Sequence, residues 1–179
     1  MTAPLLVITG PPGAGKSTVA RLVAGAFSPS VLVEGDAFFA FLDQGAIAPW
    51  LPEAHRQNEV VLRAAAAGTG AFAAAGYQTV YEGIVGPWFL PAFVEATRLD
   101  ALHYAVLLPT AERCVARVAA RPGHGFTDEA ATRQMHAEFA RACAGLDGRH
   151  LLADEAMEAS AVADEVRERM AHGELAWPA

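Results

Sequence analysis

Gly10-Pro11-Pro12-Gly13-Ala14-Gly15-Lys16-Ser17 has the spacing G-x-x-x-x-G-K-[ST] without a gap. Gly10, Gly13 and Gly15 free the backbone to turn its N–H groups toward one point, and a helix starting there adds the positive end of its dipole. Such a cradle takes a polyphosphate. Lys16 would reach the β- and γ-phosphates of a nucleotide as a compact charge on a flexible stem, and the Ser17 hydroxyl would ligate the Mg²⁺ that bridges them. Pro11, Pro12, Ala14 and Thr18 complete the expected nucleotide contacts. Lys16 is the only lysine in the chain, at a position where the planar guanidinium of arginine would serve poorly.

Two further groups could act on a phosphate held there. Glu34 and Asp36 stand at the carboxyl end of an apolar run, Ser30-Val31-Leu32-Val33. One carboxylate would hold Mg²⁺ through water, which assigns Glu34 to the metal with Ser17. The other would take a proton from an attacking hydroxyl, and Asp36, further past the strand end, is the better base. Glu82, at a later strand end, is open between a part in that Mg²⁺ site, a substrate hydroxyl acceptor and a helix cap. Asp36 also suits the cap of a helix from Ala37 to Leu42. Arg113, Arg117 and Arg121 recur every four residues and share a helix face. Arg121 opens the turn Pro122-Gly123-His124-Gly125, which could close over the site. Arg117 and Arg121 would then neutralise charge on the transferring phosphoryl group. The competing use of these arginines is a solvated stripe paired with Glu112, Asp128 or Glu129.

These groups need strands and helices to position them. Leu5-Leu6-Val7-Ile8 reads as a buried strand before the loop, and Ser17 to Ala24 as the helix after it. Further strands are expected at 30–33, 78–81, 102–108 and 150–153. Helices are expected at 53–75, 88–96, 111–120, 128–144 and 159–171, the long one turning Val61, Ala64, Ala65, Gly68, Phe72 and Ala75 to one side. Alternation of this kind predicts an α/β fold, a five-stranded parallel sheet with helices on both faces and a short lid at about 117–130. The site then lies outside the carboxyl ends of the strands. Phe38, Phe39, Trp50, His55, Arg56, Asn58, Glu82, Gly83 and Trp88 are expected on the substrate side, where aromatic walls and a few polar groups suit a compact hydroxylated molecule with an apolar part. Each aromatic has an equal claim to the core.

Length and composition set the frame. A chain of 179 residues is about one domain's worth. Its net charge of −7 argues against a nucleic-acid surface. No stretch approaches the roughly 18 apolar residues of a membrane span. Cys114 and Cys143 give no support to a disulfide framework, and a cytoplasmic protein is expected, monomeric or homodimeric.

Taken together, the motifs resemble the small P-loop kinases that phosphorylate metabolites or antibiotics: gluconate kinase, shikimate kinase and chloramphenicol phosphotransferase. Glu34-Gly35-Asp36 resembles their acidic-x-Asp segment, and Arg121-Pro122-Gly123-His124-Gly125-Phe126 is similar to the lid of gluconate kinases. The layout as a whole looks closest to kinase-like AAA-type ATP-binding proteins. The resemblance implies Lys16 and Ser17 as phosphate and Mg²⁺ residues, Asp36 as general base, Arg117 and Arg121 as nucleotide or lid residues, and ATP and Mg²⁺ as the cofactors. Tyr81-Glu82-Gly83-Ile84 replaces the glycine triplet or basic pattern found after the third strand in relatives, which argues against gluconate as the acceptor. The expected activity is ATP-dependent phosphorylation of a small hydroxylated molecule. A nucleoside or nucleotide kinase using Arg56 and Arg63 on an acceptor phosphate, and a non-catalytic nucleotide switch, are the alternatives. The absence of an Asn-Lys-x-Asp signature weakens the switch and favours ATP over GTP.

Overall fold

The computed structural model describes residues 5–120, 127–152 and 158–178. Its sheet runs β2 (Ser30–Glu34), β3 (Gln78–Glu82), β1 (Leu5–Thr9), β4 (Ala101–Leu107), β5 (Leu151–Leu152), all parallel. β1 is buried along its whole length because it is central, and its alternation separates two cores. Leu5 and Val7 face a core with Tyr81, Phe93, Tyr104 and Phe139, covered by α2 (His55–Ala74), α3 (Leu90–Thr97) and α5 (Glu129–Cys143). Leu6 and Ile8 face one with Val23, Val80, Ala105, Val166 and Met170, covered by α1 (Lys16–Ala24) and α6 (Ala159–Ala171). A strand buried on both sides is apolar throughout, which is why Leu5 to Ile8 carries no polar alternation. No helix among the described residues is long and apolar enough to cross a membrane.

The sheet has a sixth strand that the sequence did not announce. β6 (Ala176–Pro178) pairs antiparallel with the amino end of β4, Leu102 opposite Trp177, while β5 takes the carboxyl end of the same strand. Trp177 packs there edge-on to Tyr104 and His150, ring centroids 5.8 and 5.3 Å apart. Three residues ending in proline form an edge strand too short to show a period.

The long helix α2 begins two residues later than expected, after a 3₁₀ turn at Pro52–Ala54, and its buried side differs from the expected one. Val61, Leu62, Ala65, Ala66, Thr69, Gly70 and Ala73 are inside, whereas Ala64, Phe72 and Ala75 are exposed. Gly70 sets this phase. A Cβ there would lie 2.1 Å from the Thr97 carbonyl oxygen, so α2 and α3 approach backbone to backbone at that point. Helix α4 (Ala111–Ala119) starts at a Thr110 cap, and α5 at an Asp128 cap whose carboxylate accepts from the Ala131 N–H at 2.9 Å. Of the fifth expected strand, Ala153 lies outside the described residues.

Candidate active site

The loop between β1 and α1 is held by contacts that leave no room for side chains. Gly10, Gly13 and Gly15 have φ of 148°, 79° and 98°. A Cβ on Gly10 would lie 2.1 Å from the Leu107 carbonyl oxygen, and one on Gly13 2.3 Å from that of Cys114. The Pro11 carbonyl accepts from Ala14 N–H at 3.2 Å and from Lys16 Nζ at 3.1 Å, which folds the ammonium over the loop. Arg117 reaches across from α4, its Nη1 donating to the Gly13 and Ala14 carbonyls at 3.3 and 3.2 Å. Those carbonyls are thus neutralised from outside, while the first amides of α1 have no acceptor within the helix. Of the stripe partners weighed for the arginines, Glu112 and Glu129 both accept from Arg133, at 3.1 and 2.9 Å, and Asp128 caps α5.

The carboxylate beside the loop is Glu82. Ser17 Oγ donates to its Oε1 at 3.0 Å. The reason is the strand order: β3 lies between β2 and β1, so the last residue of β3, not of β2, reaches the loop. Glu34, the residue assigned to the metal from sequence, is one strand further out, exposed and paired with Arg21 at 3.2 Å. Glu82 is only 7% exposed. Burial pushes its pKa above the ordinary carboxylate value, Lys16 and the Ser17 bond pull it down, and Asp36 and Glu34 push it up. Asp36 sits in the first turn of a 3₁₀ helix at Gly35–Phe41 whose N-cap position is Glu34, with no side-chain capping bond, so it is not a cap. Gly35 is required by Tyr81, since a Cβ there would meet the phenol oxygen at 2.2 Å. Burial, then the charges of Asp36 and Glu82, raise the Tyr81 pKa far above that of a free phenol, so the phenol is neutral.

Two cavities meet at the loop. The first, about 250 Å³, is lined by Lys16, Ser17, Asp36 and Glu82 and by the apolar Phe39, Trp50, Leu62, Ile84, Phe89 and Met135. The second, about 360 Å³, lies on the other side of Gly13, Ala14, Gly15 and Thr18, against Arg113, Arg117 and the apolar Leu107, Leu152 and Val162. Pro12 lines the first cavity. Of the residues expected on the substrate side, Asp36, Phe39, Trp50, Asn58 and Glu82 line the first cavity. The others do not. His55 is exposed and stacks on Phe89 with centroids 5.0 Å apart. Gly83 gives its N–H to the Ile8 carbonyl at 3.3 Å and lies against the Tyr81 hydroxyl. Trp88 is a wedge against Phe139, centroids 5.0 Å apart. Arg56 is exposed, because Asn58, Val61 and Leu62 form the side of α2 turned to the cavity. Arg121, with 122–126 of the expected lid, lies outside the described residues.

Reasoning from sequence missed Phe89, Ile84, Val118 and Met135 as wall residues. They come from the loop after β3 and from α4 and α5, and no local pattern ties them to the site. Arg113, four residues before Arg117, was within reach of the helical spacing.

The fold is that of the P-loop kinases. A gluconokinase from Sinorhizobium meliloti 1021 superposes with a TM-score of 0.65 at 20% identity, over 96% of this chain and 93% of that one. A shikimate kinase from Acinetobacter baumannii, in complex with shikimate, gives 0.61 at 19% identity over 97% and 96%. A Deinococcus radiodurans tunicamycin resistance protein gives 0.66 at 12% identity over 93% and 95%. No curated protein matches the chain. A family model described as an AAA domain matches residues 5–145, most of the sequence, and the chain belongs to that family.

Proposed function

We propose that this chain, acting as one domain over residues 1–179, transfers the γ-phosphoryl group of ATP to a hydroxyl of a small molecule. The observation that carries the reading is the position of the phosphate-binding loop between two cavities, one with arginines and apolar walls, the other with two carboxylates in its lining. The nucleoside would occupy the second cavity, with Arg113 and Arg117 near its phosphates, and the acceptor the first. The kinases among the structural neighbours support phosphotransfer in general.

The residues fit the nucleotide and its metal. The three glycines leave the space that a polyphosphate needs, and the Ser17 hydroxyl with the Glu82 carboxylate is an oxygen donor set suited to Mg²⁺ and its waters. Bound there, the ion would neutralise charge on the phosphoryl oxygens. Glu82 would hold it from β3; Glu34 would act only from a distance. Asp36 would accept the proton of the acceptor hydroxyl as its oxygen bonds to the γ-phosphorus and the bond to the bridging oxygen of ADP breaks. Lys16 would leave the Pro11 carbonyl to follow the developing charge. Arg121 and the 117–130 segment remain proposed as the lid.

A nucleotide-kinase reading needs a cation for the acceptor's phosphate. Arg63 is held by Glu59 and Glu95 at 3.0 and 2.9 Å, and Arg56 is off the cavity wall. The test is ADP release measured against hydroxylated compounds, with Lys16→Ala as control. Release that rises with an acceptor and vanishes in the variant supports transfer. ATP binding without any acceptor-dependent release would overturn it.

A further inference from the structure

Room has been made in the first cavity for one hydroxyl. Tyr81, the next-to-last residue of β3, packs its ring on Phe93, centroids 4.8 Å apart, and carries its phenol oxygen to the ends of β2 and β3. Two glycines lie against that oxygen, and each adjoins a carboxylate: Gly35 before Asp36, Gly83 after Glu82. A Cβ on Gly35 would lie 2.2 Å from it and one on Gly83 2.9 Å. Neither glycine has a positive φ, so it is space and not backbone conformation that calls for them. A phenylalanine would fill the same core and take less room at both.

The hydroxyl makes no hydrogen bond with the described residues. Nor is it shut away. Both ring nitrogens of His103 are sealed in the core without a partner, but the Tyr81 oxygen is not sealed, and Tyr81 lines the first cavity. The phenol is neutral and so has a proton to donate. Other donors of the same lining already have acceptors. Ser17 Oγ donates to Glu82 at 3.0 Å, Lys16 Nζ to the Pro11 carbonyl at 3.1 Å, and Asn58 Nδ2 to the Pro49 carbonyl at 2.7 Å, which pins that segment to α2.

An unpaired donor facing a cavity is explained by an acceptor atom that arrives with the occupant. Given the phosphotransfer reading, the reacting alcohol supplies it. Its oxygen carries one proton and two lone pairs. The proton goes to Asp36, the stronger of the two carboxylate charges acting on the phenol, and one lone pair bonds to the γ-phosphorus. The second pair is left for the protein to meet. We propose that the Tyr81 hydroxyl donates to that second pair, and so fixes, with Asp36, the direction from which the attacking oxygen meets the phosphorus. Tyr81 positions the nucleophile and moves no proton.

Tyr81→Phe removes the phenol oxygen and keeps the ring. Because that oxygen has no partner among the described residues, the variant should melt at the same temperature or about 1–2 °C higher. It should bind a non-hydrolysable ATP analogue within about twofold of the unaltered chain. ADP release is then followed with glycerol, glucitol, gluconate, shikimate and uridine, and with water as the sole acceptor. For each alcohol that drives release from the unaltered chain, kcat/KM should fall about tenfold in the variant while the KM for ATP is unchanged, and the rate with water should fall by the same factor. A melting temperature lower by several degrees shows that the hydroxyl serves the fold and overturns the proposal. Unchanged release at unchanged stability overturns it too, and weakened binding of the ATP analogue overturns it in favour of a phosphate contact. Release with water alone, lowered in the variant, supports Tyr81 as the group that orients the attacking oxygen and overturns the transfer reading. No release with any probe or with water overturns both.

Discussion

The two sides of the phosphate-binding loop are made of different material. The loop itself and the second cavity's near wall are backbone, shaped by Gly10, Gly13 and Gly15 against the carbonyls of Leu107 and Cys114 and braced by one guanidinium. The first cavity is made of side chains drawn from the 3₁₀ turn after β2, the pinned segment at Pro49 and Trp50, α2, the end of β3 and the helices beyond. A backbone site tolerates almost no variation in residue type but says nothing about the acceptor. A side-chain site can be refitted one wall at a time. The difference predicts that changes on one side of the loop separate cleanly from changes on the other.

Asp36→Asn is the sharpest cut between the sides. The amide keeps the size of the carboxylate but cannot take a proton, so turnover should fall by about 10²–10⁴. Binding of a non-hydrolysable ATP analogue, followed by calorimetry, should stay within about twofold. A matching loss in both would place Asp36 with the nucleotide and blur the boundary.

Lys16→Ala strikes the shared element, and should reduce turnover by roughly 10²–10³. The melting temperature should barely move, because the Lys16 ammonium is held by the Pro11 carbonyl in a part-buried loop and supports no core. Substantial residual turnover would mean that the charge on the phosphoryl group is met elsewhere, with Arg117 the next candidate.

Gly13→Ala asks whether the backbone side is as intolerant as it looks. Its φ of 79° and a Cβ only 2.3 Å from the Cys114 carbonyl add steric conflict to conformational strain. A loss of about 3 kcal/mol, seen as a melting temperature lower by some 6–12 °C, is expected together with lost nucleotide binding. Gly45→Ala is the control: φ is 72°, but nothing lies within 4 Å of the new Cβ. It should cost about 1 kcal/mol. Equal penalties at the two positions would show that only φ matters and that the loop can shift away from α4.

The same contrast explains what could be read from the sequence. The loop, β1 and α1 were legible because every constraint on them is local: a run of apolar residues, three glycines at fixed spacing, a helix directly after. The alternation of strands and helices gave the parallel sheet, though not the short β6. The first cavity was legible at the strand ends, in Asp36 and Glu82, and in Phe39, Trp50 and Asn58, aromatic or polar residues of the turn after β2 and of the approach to and start of α2. Ile84, Phe89, Val118 and Met135 have no signature, since tertiary packing alone brings them together. The alanine-rich α2 hid its own buried side, because alanine contrasts little with its neighbours and the phase is set by Gly70 meeting the Thr97 carbonyl. Glu34 was placed beside Ser17 for want of one fact, the position of β3 between β2 and β1.

The smallest effect expected concerns Glu82, where both sides of the loop share a cost. Its carboxyl is buried and its pKa raised, chiefly by desolvation, so in the folded chain it holds its proton to higher pH than in the unfolded one. The folded state then binds more protons than the unfolded state between the ordinary carboxylate value and the raised one, and stability must fall as pH rises through that window. Below the window the group is neutral in both states and costs nothing. Glu82→Gln removes the titration but keeps an oxygen to accept from Ser17, so the variant should melt about 2 °C higher at neutral pH, corresponding to under about 1 kcal/mol. The advantage should vanish as the pH is lowered through the window. Adding Mg²⁺ with the ATP analogue should reverse the order of the two proteins, because the carboxylate is then paired with a cation and the amide is not. Melting curves for both proteins across pH, with and without these additions, make the comparison. If Glu82→Gln is less stable at neutral pH without ligand, the carboxylate is held by its contacts with Ser17 and Lys16 rather than merely tolerated, and the site is organised before the nucleotide arrives.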